Sequence, residues 1–147
     1  MTIGREIRRL AILASLSIVC LPGSAVARQT TELPKPSEIP GVRPEVLLRS
    51  AVPNAPHEVL IVSRTTYKPG VHVAWHRHAS QIVFYVLQGT MGLQDKGKAP
   101  FTLEAGRSLL IKPGTVHQHW NTSSTQPLVF LEYVLVKPGQ PSAVFIK

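Results

Sequence analysis

Short apolar runs rich in β-branched residues recur about every 8–12 residues in this chain, each cut off by proline, glycine or a polar turn, a spacing that predicts a sandwich or barrel of strands. Glu58 to Thr66, Gln81 to Leu87, Phe101 to Leu103, Ser108 to Ile111, Val116 to Trp120 and Leu128 to Val136 read as strands. Lys68-Pro69-Gly70 reads as a turn, and Asp95-Lys96-Gly97-Lys98 as a hairpin connection. Gly89 and Gly92 punctuate the centre of the pattern. The run Ile82-Val83-Phe84-Tyr85-Val86 is apolar at every position, which predicts burial on both faces. No window of useful length carries a helical period. The 147 residues suffice for one domain. Its body is expected over residues 46–147, after a proline-rich arm at 28–45 that holds Pro34, Pro36, Pro40 and Pro44.

Residues 1–27 have the pattern of a secretory signal peptide. Arg5, Arg8 and Arg9 precede an apolar stretch from Leu10 to Leu21, and Ala25-Val26-Ala27 has the small-x-small form of a cleavage site. The expected location is the periplasm or the cell exterior, with no stable membrane anchor once the segment is removed. The single cysteine, Cys20, lies in this segment, which excludes a disulfide scaffold and any CxxC zinc or redox motif. The net charge of +8 invites a nucleic-acid reading. Beyond the first segment, however, Arg64, Lys68, Arg77, Lys96, Lys98, Arg107, Lys112 and Lys137 are scattered, with no aromatic ladder among them. A solvated surface and no nucleic-acid partner follow.

Four of the six histidines form two H-x-H pairs, His76-Arg77-His78 and His117-Gln118-His119. Residues i and i+2 of an extended strand share a face, so each pair can aim two imidazoles at one point. Neutral imidazole suits first-row transition metals. Each pair follows a Pro-Gly turn by a few residues, and one such pair alone would carry far less weight.

The stretch from Gly70 to Gly89 resembles the first motif of the cupin superfamily, with Gly70, His76, His78 and Gly89 at the matching spacings. Gly106, Gly114, His117 and Asn121 match the second motif, in which the proline comes one place late, at Pro113, with Lys112 in its slot. The resemblance implies an all-β jelly-roll barrel, the double-stranded β-helix, with one divalent metal inside. Carried over by position, the ligands would be His76, His78 and His117. Fe(II) is the favoured ion, with Mn, Zn, Ni, Co or Cu as alternatives. The family's carboxylate ligand falls on Ile82, and Gln81 is adjacent but one place off. Three arrangements stay open: a facial three-histidine set as in some cupin dioxygenases, a set completed by His119 or Gln81, and a barrel without a functional metal. The implied partner is a small molecule, either the substrate of a dioxygenase-like metal-dependent oxidoreductase or the ligand of a non-catalytic module. Dimers are common in the family, so a homodimer, with the arm lying on a neighbour, is the analogy it offers.

Other residues carry a functional reading beside a structural one, or a structural one alone. Glu132, in an apolar run, could orient a histidine or act as a base, or face outward on an edge strand. Trp75, Phe84, Tyr85 and Trp120 could wall an apolar pocket, though core packing is their default. Asn121 reads as a residue that fixes the turn after its strand. His57 and His72 read as surface residues, and Arg77, between two inward histidines, should point away from them.

Overall fold

The computed structural model describes residues 39–146; the segment read as a signal peptide and most of the arm lie outside them. Ten strands follow in order: β1 (Val42–Val52), β2 (Ala55–Tyr67), β3 (His72–Arg77), β4 (Ile82–Gln88), β5 (Thr90–Asp95), β6 (Phe101–Glu104), β7 (Ser108–Ile111), β8 (His117–Asn121), β9 (Leu128–Val136) and β10 (Val144–Phe145). They form two antiparallel five-stranded sheets, ordered β1-β2-β9-β4-β7 and β10-β3-β8-β5-β6. Consecutive strands repeatedly change sheet, and the two inner faces close on each other as a jelly roll.

β1 begins inside the stretch read as an arm. Pro44 lacks an N–H to donate, yet it pairs with Thr65 because β1 is the edge of its sheet. Gly92 lies within β5 and does not end it. It stands opposite Trp120, and a Cβ on Gly92 would fall inside the indole, so the missing side chain makes room for the ring. Gly89 turns β4 into β5 at φ 83°, with the Pro127 carbonyl only 3.0 Å from where a Cβ would stand.

The core lies between the sheets, where Ile82, Phe84, Val86, Met91, Leu93, Leu128 and Phe130 are almost completely buried. The expectation that β4 is covered on both faces is corrected. Ile82, Phe84 and Val86 point inward, whereas Tyr85 and Leu87 are 38% and 44% exposed, because among the described residues no third layer covers the outer face. Glu132 is also settled: β9 is the central strand, not an edge, and Glu132 shares its inner face with Phe130 and Val134.

Candidate metal centre and adjoining cavity

β3 and β8 lie side by side, with His76 paired to His117 and Val73 to His119. Three residues of β3 span the distance covered by two of β8, so one extra residue sits between Val73 and His76. The bulge decides which way the ligands point. In a regular strand that buries Val73, residues 75 and 77 would also face inward. The extra residue shifts the alternation, so His76 and His78 are buried and Arg77 is exposed. β8 is regular and buries His117 and His119 on one face.

Three buried histidines, His76, His117 and His119, each offer one nitrogen, and these nitrogens all lie within 4.8 Å of one another. Nitrogens sharing a tetrahedral ion at metal–nitrogen distances near 2.1 Å stand roughly 3.4 Å apart, so inward shifts of about 1 Å would close the set. His78 stands outside this set of three but against it, its ring centroid 4.9 Å from His76 and 5.2 Å from His117. His119 was only an addition in the sequence reading, yet the structure brings it into the set. Gln81 precedes β4 and is exposed, away from the buried imidazoles. Ile82 is wholly buried in the apolar core, so the position that matches the family carboxylate offers no oxygen.

The rings are held in one tautomer. Nδ1–H of His76 donates to the Ala74 carbonyl at 2.7 Å, that of His78 to Ser142 at 2.6 Å, and that of His117 to Thr115 at 3.1 Å. A carbonyl can only accept, so each neutral ring keeps its lone pair on Nε2. The Nε2 atoms of His78 and His117 are buried without a hydrogen-bond partner. A buried acceptor left unpaired is costly, and an electrophile at the centre of the cluster would satisfy both. Burial lowers the pKa of His76 to about 4 and of His78 to about 3, neighbouring imidazoles adding to the effect. His117 and His119 are lowered by the same cause. All four therefore stay neutral at physiological pH, the form that binds metals. The donor chemistry, the tautomers and the orphaned nitrogens fit a transition-metal ion.

A cavity of about 210 Å³ adjoins the cluster, lined by His76, His78, His119, Tyr67, Phe84 and Glu132 among others. The Tyr67 hydroxyl lies 3.2 Å from Nδ1 of His119, and burial, reinforced by Glu132, holds the phenol well above its ordinary pKa. Glu132 sits in an inner row between Ser63 and Phe84. Burial pushes its pKa up to about 7. Ser142, Ala143 and Phe145 complete the lining: the Ser142 carbonyl anchors His78, Phe145 lies 5.6 Å from the His76 ring, and the neighbouring Ile146 N–H donates to the Trp75 carbonyl.

The remaining candidates sort by face. Phe84 lines the cavity, whereas Tyr85 is on the outer face of its sheet. Trp120 packs on Gly92 and against His72, which is exposed and bonded to Gln118. His57 is exposed on β2. Asn121 is buried, donates to the Gln126 and Lys68 carbonyls, and accepts from the Ser123 N–H, tying the loop after β8 to the turn after β2. Sequence reasoning missed Tyr67 as a site residue. Its place at the end of an alternating strand was the available signal, but a strand-end tyrosine is common.

Residues 63–141 match the cupin domain family. No curated protein matches the chain. Among solved structures, the chain is similar to a cupin-like protein of Thermotoga maritima at 22% identity and a TM-score of 0.57, covering 71% of this chain and 75% of that one. A cupin domain of Bordetella pertussis is 26% identical at a TM-score of 0.52, over 66% of this chain and 95% of that one. The DMSP lyase DddQ of Ruegeria pomeroyi is 18% identical at a TM-score of 0.54, over 71% and 51%.

Proposed function

The chain belongs to the cupin family, and from that premise we propose that it holds one divalent metal ion among its buried imidazoles and acts on a small, largely apolar molecule in the adjoining cavity. The observation that carries this reading is the convergence of His76, His117 and His119 within 4.8 Å, beside two buried Nε2 atoms that no protein group satisfies. His76, His117 and His119 would hold the ion, with His78 able to join them. Such an ion, once bound, supplies Lewis-acid polarisation of a substrate oxygen, and iron(II), the favoured ion, adds redox chemistry with dioxygen.

The rest of the chemistry belongs to the chain. At about 210 Å³ the cavity is below the ~300 Å³ where drug-sized pockets begin, which limits the occupant to a compact molecule. Ile61, Val73, Phe84 and Val134 exclude water from one part of it. Glu132, poised near neutrality, can take a proton from the bound molecule or return one. Tyr67 stays protonated and orients His119. Ser142 keeps His78 in the tautomer that presents Nε2. Export through the first segment, to the periplasm or beyond, is part of the same proposal.

Metal analysis of untagged protein, purified anaerobically, tests this reading. About one equivalent of metal per chain is expected, falling below a tenth in His76→Ala and His117→Ala. Stoichiometry unchanged by both substitutions overturns the metal site. Oxygen uptake across phenols, diketones and thiols then separates catalysis from capture. The buried Ile82, which replaces an anionic ligand, favours the second reading, a non-catalytic binding module. Ligand-induced stabilisation without turnover would establish it.

A further inference from the structure

The cavity has a charge character opposite to that of the chain. The chain carries +8, yet no arginine or lysine is among the described residues that line the cavity. Burial keeps the lining imidazoles of His76, His78 and His119 neutral and the Tyr67 phenol protonated, so the formal charge this lining can present is the carboxylate of Glu132. Glu132 stands in β9 between two cross-strand neighbours, Ser63 of β2 and Phe84 of β4, and all three line the cavity. Thr65, the next inward residue of β2, lines it as well. Neighbours opposite each other in antiparallel strands have Cβ atoms ~5 Å apart, within reach of a side-chain bond. Even so, among the described residues no hydrogen bond or ion pair engages the Glu132 carboxyl or the Ser63 and Thr65 hydroxyls. A desolvated carboxyl without a partner is costly to the fold, and this one lines the space where a small molecule would sit. Phe84 connects the two ends of that space: its ring is 5.4 Å from that of His119, and its strand neighbour is Glu132.

We propose that Glu132 is the specificity-determining residue of this cavity, and that the occupant it selects is a compact primary amine whose ammonium group lies among Glu132, Ser63 and Phe84 while its other end points to the histidines. The inference rests on the reading of the cavity as a small-molecule site and names the class of molecule. Three properties of the wall select that class. An ammonium group carries three N–H donors and no acceptor, and the wall offers a carboxylate and two hydroxyl oxygens that accept. The Phe84 ring, on the other flank of Glu132, attracts a cation through its face. The absence of arginine and lysine from the described lining works against a carboxylate or phosphate at this end, which would meet Glu132 as a like charge. Burial raises the Glu132 pKa to about 7, close enough to neutrality for an arriving ammonium to draw the carboxyl into its ionised form. A buried ion pair must offset the desolvation of both charges, which the two hydroxyls and the ring assist.

Ligand-observed NMR titration of the full chain at neutral pH tests the proposal with four linear probes that share a terminal hydroxyl: aminobutanol, butanediol, n-pentanol and the N-trimethylated aminobutanol. Aminobutanol should bind at least ~10-fold more tightly than butanediol or n-pentanol, and more tightly than its trimethylated form, which has the charge but no N–H. Glu132→Gln should bring aminobutanol to within about 3-fold of butanediol, whereas Glu104→Gln, which removes the same charge from the exposed end of β6, should leave the preference intact. The ranking on the unsubstituted chain needs no variant. Butanediol or n-pentanol bound as tightly as the amine overturns the amine assignment while leaving the cavity a small-molecule site. A preference that survives Glu132→Gln in a folded variant overturns the role of Glu132. Equal binding of the trimethylated probe overturns recognition through N–H groups. If none of the four binds, the reading of the cavity as a small-molecule site falls and the proposal falls with it; metal analysis of the same samples reads the ion separately.

Discussion

Glu132→Gln should remove a loss of stability that the parent suffers as pH rises from 4.5 through 7. Burial raises the Glu132 pKa from 4.5 to about 7, because the inner row between Ser63 and Phe84 offers its charge little solvation. Between those two values the folded chain keeps a proton that the unfolded chain has released. Stability from this group is therefore complete below pH 4.5 and is lost as pH rises through 7. The full loss corresponds to ~3 kcal/mol at about 1.36 kcal/mol for each tenfold difference in proton affinity. Glutamine keeps the shape and a hydrogen-bonding end but cannot ionise. Urea unfolding of the chelator-treated protein and of Glu132→Gln, at pH 4.5 and pH 8, reads the difference directly. The variant should gain about 3 kcal/mol on the parent between the two pH values. The histidines act in the opposite sense: with pKa values lowered to about 4 and about 3 for His76 and His78, they cost stability as pH falls below 6.5. Both proteins carry them, so they cancel in the comparison. A difference between variant and parent that is the same at both pH values would refute the argument that Glu132 is desolvated on the inner face.

Two further predictions concern the scaffold. Asn121→Ala should cost about 1–3 kcal/mol in chemical denaturation, since it removes the bonds of a buried side chain to the part-buried backbone groups of Gln126, Lys68 and Ser123. Gly92→Ala should cost ~1–3 kcal/mol and shift the fluorescence of the displaced Trp120, because the new methyl group claims space the indole fills; unchanged stability and emission would show that the ring does not rest on Gly92.

Much of the fold was legible because it is local. β7 and β9 begin and end where the apolar runs do. β1 was hidden, since prolines and charges obscure an edge strand whose pairing is supplied by β2. β5 was hidden by Gly92, whose role depends on a tryptophan 28 residues away in sequence. The two H-x-H pairs announced a cluster of imidazoles, but not which nitrogens would come closest.

The sequence by itself determined a β-sheet protein with turns at its glycines and prolines, and four imidazoles spaced to share strand faces. Tertiary structure decided the directions. Side chains alternate with a period of two, so a single extra residue between Val73 and His76 turns a histidine from solvent to core, and that bulge exists only in pairing with β8. Likewise, Glu132 faces the cavity because β9 lies between β2 and β4, a neighbourhood that no stretch of nine residues can specify.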